Sequence, residues 1–114
     1  MGDVMAPHEK RQQTMIVFKF DESSTAMSEL GALVITQGAD AMMRERRLDP
    51  FRFLARHMQG DWGDICDEDR GLNEQALIDG LRLMSVYKVA EDLKIWIITE
   101  ADRSVTTILL PEEY

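Results

Sequence analysis

The stretch RLMSVYKVAEDLKIWIITEADRSVTTILL, residues 82–110, decides the fold. Its apolar residues recur with a period of two, the spacing of a strand and not of a helix. Three strands are expected, Arg82–Val89, Leu93–Thr99 and Ser104–Leu110. The connections Ala90-Glu91-Asp92 and Glu100-Ala101-Asp102-Arg103 are short enough for antiparallel hairpins. In the middle strand Leu93, Ile95 and Ile97 point one way, while Trp96 and Ile98 point the other. A strand apolar on both faces belongs inside a sheet covered on both sides. Pro111 has no N–H to donate, so the ladder should stop there.

Upstream of Gly80 the punctuation is helical. Thr36 can cap a helix reaching about Arg47, with Ala39, Met42 and Met43 turned inward. Asp49 suits an N-cap and Pro50 the first helical position, where its missing N–H costs nothing. Leu48 and Phe53 have the spacing of a hydrophobic staple, and Gly60 can close the C-terminus. Asn73 reads as the next cap, Leu72 as the staple partner of Leu77, and Gly80 as the stop. Nearer the N-terminus, Met15–Phe20 reads as a short strand and residues 21–25 as a turn. Leu30–Ile35 is short and apolar, and its pattern leaves strand and buried helix both open. Residues 1–14 read as a flexible tail, with Met5 and Met15 as alternative starts. The expectation is one α+β domain over residues 15–114. It has two or three short helices followed by a three-stranded antiparallel meander, with room for N-terminal strands at an edge.

Composition limits the function classes. The chain has 114 residues, 45% hydrophobic and 30% charged, which is globular composition with length for one core. No apolar run approaches the ~20 residues of a membrane span. The polar start MGDVMAPHEKRQQT lacks the apolar centre of a signal peptide. A lone cysteine, Cys66, excludes an internal disulfide and suits a reducing, cytoplasmic setting. The formal net charge of -8 opposes non-specific nucleic-acid binding, which depends on neutralising phosphates. That charge is uneven. Between Gly60 and Gly80 seven acids (Asp61, Asp64, Asp67, Glu68, Asp69, Glu74, Asp79) face one base, Arg70, a net of -6. Between Gln37 and His57 five arginines (Arg44, Arg46, Arg47, Arg52, Arg56) outnumber three acids, a net of +2. The two segments are expected to pack together with complementary charge.

Several residues could carry chemistry. His57 is four residues after Phe53 and three after Leu54, on or beside the apolar stripe of its helix. It reads either as a packed histidine bonded to backbone or as a general acid or base. In Gly60-Asp61-Trp62-Gly63-Asp64, two glycines around a tryptophan pin the ring into the core as a lid or present it as a contact. The acidic run does not match a calcium loop. With Gly71 at the sixth position, Cys66 and Arg70 would occupy ligand positions one and five. Cys66, His57 and Asp61 make a poor zinc set, so no metal or other cofactor is expected. On the meander, Ser85, Tyr87, Thr99, Arg103, Thr106 and Thr107 are ordinary strand and turn residues. Opposite His57, a set of His57, Ser85, Tyr87, Arg103 and Thr107 could also cleave a phosphodiester, with Arg103 stabilising charge on phosphate. The sequence has no phosphate-binding glycine loop, nucleophile elbow or HExxH.

The stretches FLARHMQGDWGDI (residues 53–65), NEQALIDGLRLMSVYKV (73–89) and IWIITEADRSVTTILLPEEY (95–114) resemble a family of small "plasmid-related" proteins of plasmids and integrative elements. The resemblance spans about residues 30–114, and its most specific part is ADRSVTTILLPEEY. It implies a mobile-element setting and no particular activity. Some of these relatives are labelled restriction-modification subunits, but this chain has neither the length nor the motifs of a methyltransferase. Helices followed by an antiparallel sheet are also similar in order to the RelE- and barnase-like ribonuclease toxins, which are usually basic where this chain is acidic.

Three functions follow as expectations. The first is an accessory protein that binds a protein partner through an acidic surface of Asp61, Trp62, Asp64, Asp67, Glu68 and Asp69. The second is a metal-independent ribonuclease built on His57 and Arg103. The third is a DNA-mimicking inhibitor of a host defence system, whose carboxylates imitate phosphates. No membrane association is expected of any of them.

Overall fold

Alternation in the C-terminal third becomes the expected meander: β3 (Leu83–Ala90), β4 (Leu93–Thr99) and β5 (Val105–Leu109), each antiparallel to the next. The computed structural model describes the backbone of Met15–Phe18 and all of residues 30–114. The expected tail at 1–14 and turn at 21–25 lie outside the described residues. Met15–Phe18 is strand β1 and Ala32–Thr36 is strand β2, so the ambiguous apolar run is a strand. Its Leu, Val and Ile are stiff at χ1 or well shaped for a pleat, and five residues are too few for a buried helix. The sheet order is β1-β2-β5-β4-β3. β2 runs parallel to β5, and every other neighbour pair is antiparallel. The fold is therefore α+β with a mixed sheet. The helices and the β3–β4 hairpin all lie within the crossover that a parallel pair requires.

The register puts Leu33 and Ile35, Ile108, Leu93, Ile95, Ile97 and Tyr87 on one sheet face. Helix α1 (Gln37–Glu45) lays Ala39 and Met43 on that face, and helix α2 (Pro50–Met58) adds Leu54. On the other face Val34, Ile98 and Leu109 are buried, and Trp96 meets the edge of the Tyr114 ring at 5.4 Å. β4 thus carries apolar residues on both faces, but only the first is fully covered: on the other Ile98 is buried, Trp96 half-buried and Lys94 exposed.

The helix ends follow local chemistry with one correction. Thr36 Oγ1 accepts from the Ala39 N–H at 3.2 Å, and an Asp49 carboxylate oxygen accepts from the Phe51 N–H at 3.0 Å. Gly60 and Gly80 take positive φ of 83° and 71° at their helix ends. Asn73, however, is not a cap. The third helix, α3, runs Asp67–Asp79 with Cys66 at the N-cap position, and Asn73 lies in its middle, buried. Leu72 and Leu77 are exposed and form no staple. Gly71 is an interior helical residue with open space around it.

Asn73 has a different task. β3 is an edge strand, and its outward backbone groups would be left without partners. The Asn73 amide donates to the Met84 carbonyl at 2.7 Å and accepts from the Met84 N–H at 3.2 Å, in the manner of a neighbouring peptide unit. One step along, the Val86 N–H bonds the Trp62 carbonyl at 3.1 Å, and the Asp64 N–H bonds the Val86 carbonyl at 2.6 Å. The Asp64 carboxylate then accepts from the Lys88 N–H at 2.8 Å. Gly63 makes this close approach possible: its φ is 78°, and any Cβ would run into the Val86 carbonyl oxygen. Replacing Asn73 by Ala strands two backbone groups of Met84 and should lower unfolding free energy by about 1–3 kcal/mol. Urea denaturation checks this, and an unchanged midpoint would contradict the sealing role.

Candidate functional site

His57 enters the apolar face of the sheet from the last turn of α2, where only 3% of it remains exposed. Its Nδ1 meets Ser85 Oγ of β3 at 2.5 Å and its Nε2 meets Thr99 Oγ1 of β4 at 2.9 Å. Thr99 Oγ1 is 2.8 Å from Thr106 Oγ1 of β5, and Thr106 donates to the Leu30 carbonyl at 2.8 Å. Each hydroxyl has one proton, and this fixes the direction of the chain. Thr106 spends its proton on Leu30, so Thr99 donates to Thr106. Nε2 of His57 must then carry the proton given to Thr99, and Nδ1 accepts from Ser85. The imidazole is neutral, with both nitrogens engaged.

Burial holds His57 in that neutral form, lowering its pKa to about 4, and the positive charge of Arg103 acts in the same direction. Tyr87 is buried nearby, and its hydroxyl donates to the Asp61 carbonyl at 2.6 Å. Burial pushes this phenol up to about 12.

The structure therefore brings together His57 and Ser85 of the expected catalytic set, and adds Thr99 and Thr106. Arg103 and Thr107 do not join them. Thr107 pairs in register with Val34 and Ile98, on the opposite sheet face. The Arg103 guanidinium is aimed at backbone: it donates to the carbonyls of Leu81 at 2.6 Å, Glu100 at 3.1 Å and Ala101 at 3.3 Å, and reaches that of Ala76 at 3.4 Å. It thus neutralises the negative end of α3. Its φ of 61° is rare for a residue with a side chain, and the turn bond from its N–H to the Glu100 carbonyl holds it there.

The expected binding set divides in the same way. Trp62 is 4% exposed, and its indole N–H has no acceptor among the described residues. It is the lid of the two readings, not a surface anchor. Asp61 pairs with Arg56 at 2.6 Å, and this bond holds its carboxyl below the usual range. Arg56 also lies 4.5 Å over the Tyr87 ring. Asp64 closes the sheet edge, as above. Asp67, Glu68 and Asp69 fill the exposed first turn of α3, where carboxylates favour the helix dipole. The charged segments complement each other at Arg56–Asp61, but Arg44 and Arg46 pair with Asp40 and Asp92 instead. Among the described residues no ion pair reaches the α3 acids Asp67, Glu68, Asp69, Glu74 and Asp79.

What remains on α3 runs against ordinary amphipathicity. The helix buries Asn73 and Ala76, while Leu72, Leu77 and Ile78 are 63%, 57% and 78% exposed. Leu81, just past the Gly80 turn, is 52% exposed. Spacing alone could not show this, because the polar residue that belongs inside is Asn73. Among the described residues no group of His, Cys, Asp and Glu could hold a metal ion, and no helix is long and apolar enough to cross a membrane. Comparison with family models, curated proteins and solved structures finds no match.

The neutral His57 makes stability depend on pH. The unfolded histidine, with pKa near 6.5, takes up a proton before the folded one does. Unfolding free energy should be flat above pH 6.5 and fall as pH drops from 6.5 to about 4, by up to about 3 kcal/mol. His57→Gln should flatten the slope between pH 6.5 and 5, measured by urea denaturation across that range. An identical slope in the variant would show that His57 is not the group responsible.

Proposed function

We infer that the chain acts by association, binding a basic protein partner through the acidic surface that α3 carries. One observation carries the reading: the helix turns Leu72, Leu77 and Ile78 outward among carboxylates that no ion pair neutralises among the described residues. Residues 67–79 hold five acids and one base, Arg70, a net of -4. Arg70 is turned toward the chain itself, 3.3 Å from the Gly63 carbonyl. Aliphatic side chains left in water beside a strong field are the composition of a contact surface, in which the charge steers and the apolar groups anchor. A DNA mimic needs the carboxylates but has no use for the leucines. The phosphodiester reading relies on His57 and Arg103, and these are held by the Ser85 and Thr99 hydroxyls and by backbone carbonyls. The setting as an accessory of a mobile element rests on the sequence resemblance alone.

Charge reversal away from the first turn spares the helix dipole. Glu74→Lys with Asp79→Lys should abolish capture of basic proteins from a cell lysate and leave the melting temperature nearly unchanged. A matched pair, Glu45→Lys with Glu91→Lys, alters net charge equally at exposed positions outside α3 and should capture like wild type, with capture by both falling as salt rises. Equal capture by all three proteins, or none by the wild type, would sink the reading.

A further inference from the structure

The sheet edge beside α3 is covered from Met84 to the Lys88 N–H. The outward groups of Met84 and Val86 and the Lys88 N–H are already bonded to Asn73, Trp62 and Asp64. A partner that approaches here finds the outward backbone of Met84 and Val86 already bonded and engages side chains instead. Those on offer are helical. Leu77 and Ile78 lie one turn after Glu74, and Leu81 follows at the Gly80 turn, where its N–H bonds the Ala76 carbonyl at 3.0 Å. Leu72 projects from the other flank of the helix. A second copy of this chain is a poor occupant, because pairing α3 with α3 would set -4 against -4 across the contact.

We propose that the outer face of α3 seats an amphipathic helix of the partner, with an aliphatic stripe on Leu77, Ile78 and Leu81 and lysine or arginine flanks opposite Glu74 and Asp79. This rests on the association reading above and adds the shape of the occupant. Contact between two such helices fills the grooves between side chains spaced three and four apart, so the partner's apolar residues recur at that spacing. Charge alone would accept any basic chain; the leucines demand a stripe.

Two labelled peptides of equal length and identical lysine, leucine and alanine content separate these possibilities. One gathers its leucines on a single helical face, and the other scatters them around the helix. Fluorescence anisotropy should show the striped peptide binding the full chain at least about tenfold more tightly, the equivalent of ~1.4 kcal/mol. Leu77→Ser, Ile78→Ser and Leu81→Ser together should remove that preference. The urea midpoint should hold, since all three side chains are more than half exposed. If both peptides bind alike and Glu74→Lys with Asp79→Lys abolishes both, the helical occupant is overturned and the acidic surface stands. If neither peptide binds, or binding ignores those reversals, the acidic reading falls and takes the helix with it. A concentration-dependent dimer in sedimentation, lost in the serine variant, would give the face to a second copy and also overturn the proposal.

Discussion

A single line of hydrogen bonds runs through an otherwise apolar layer and joins five parts of the chain. It starts at Ser85 on β3, passes through His57 on α2, Thr99 on β4 and Thr106 on β5, and ends at the Leu30 carbonyl before β2. Isoleucine and leucine on both sides of it make contacts without fixed direction, whereas each hydroxyl in the chain needs its partner at a set distance and angle. If any member shifts, a polar group is left unpaired in a dry interior, where that costs more than the bond is worth in water. The line thus fixes how α2 sits on the sheet and how β2 docks beside β5. The rest of the apolar face, from Leu33 to Leu110, packs around it.

The C-terminal segment adds two restraints of the same kind. Glu113, in the 3-10 turn Pro111–Glu113, accepts from Thr36 Oγ1 at 2.5 Å, the Gly38 N–H at 3.0 Å and the Leu110 N–H at 2.9 Å, so a carboxylate stands at the positive end of α1. Arg103 stands at the negative end of α3. Each charge is matched to the helix dipole it meets, and each ties the last stretch of chain to a helix far earlier in sequence.

With the outward backbone of Met84 and Val86 bonded, α3 stands out as the element with surplus surface. It spends a buried position on Asn73 to close the edge and leaves its large aliphatic residues in water. A helix selected only for stability would place leucine inward and an amide outward. The inverted arrangement costs core burial on this helix, and the carboxylates around it keep the exposed leucines soluble while favouring a basic partner.

Local chemistry in the sequence determined much of this. Period-two alternation over residues 82–110 determined the meander, since that spacing is incompatible with a helix. Thr36, Asp49, Pro50, Gly60 and Gly80 marked helix ends, because caps depend on residues a few positions apart. His57 was legible as a buried or catalytic residue but not as one of them, because its partners come from strands 28 and 42 positions away. Only the tertiary structure decided that β2 lies parallel to β5, that Trp62 is covered, and that Arg103 and Glu113 cap distant helices. It also decided Asn73, whose type suggests a cap and whose place is the middle of a helix. A side chain that serves as a stand-in peptide unit is recognised only when the strand edge it completes is in view, and no spacing within its own helix encodes that edge.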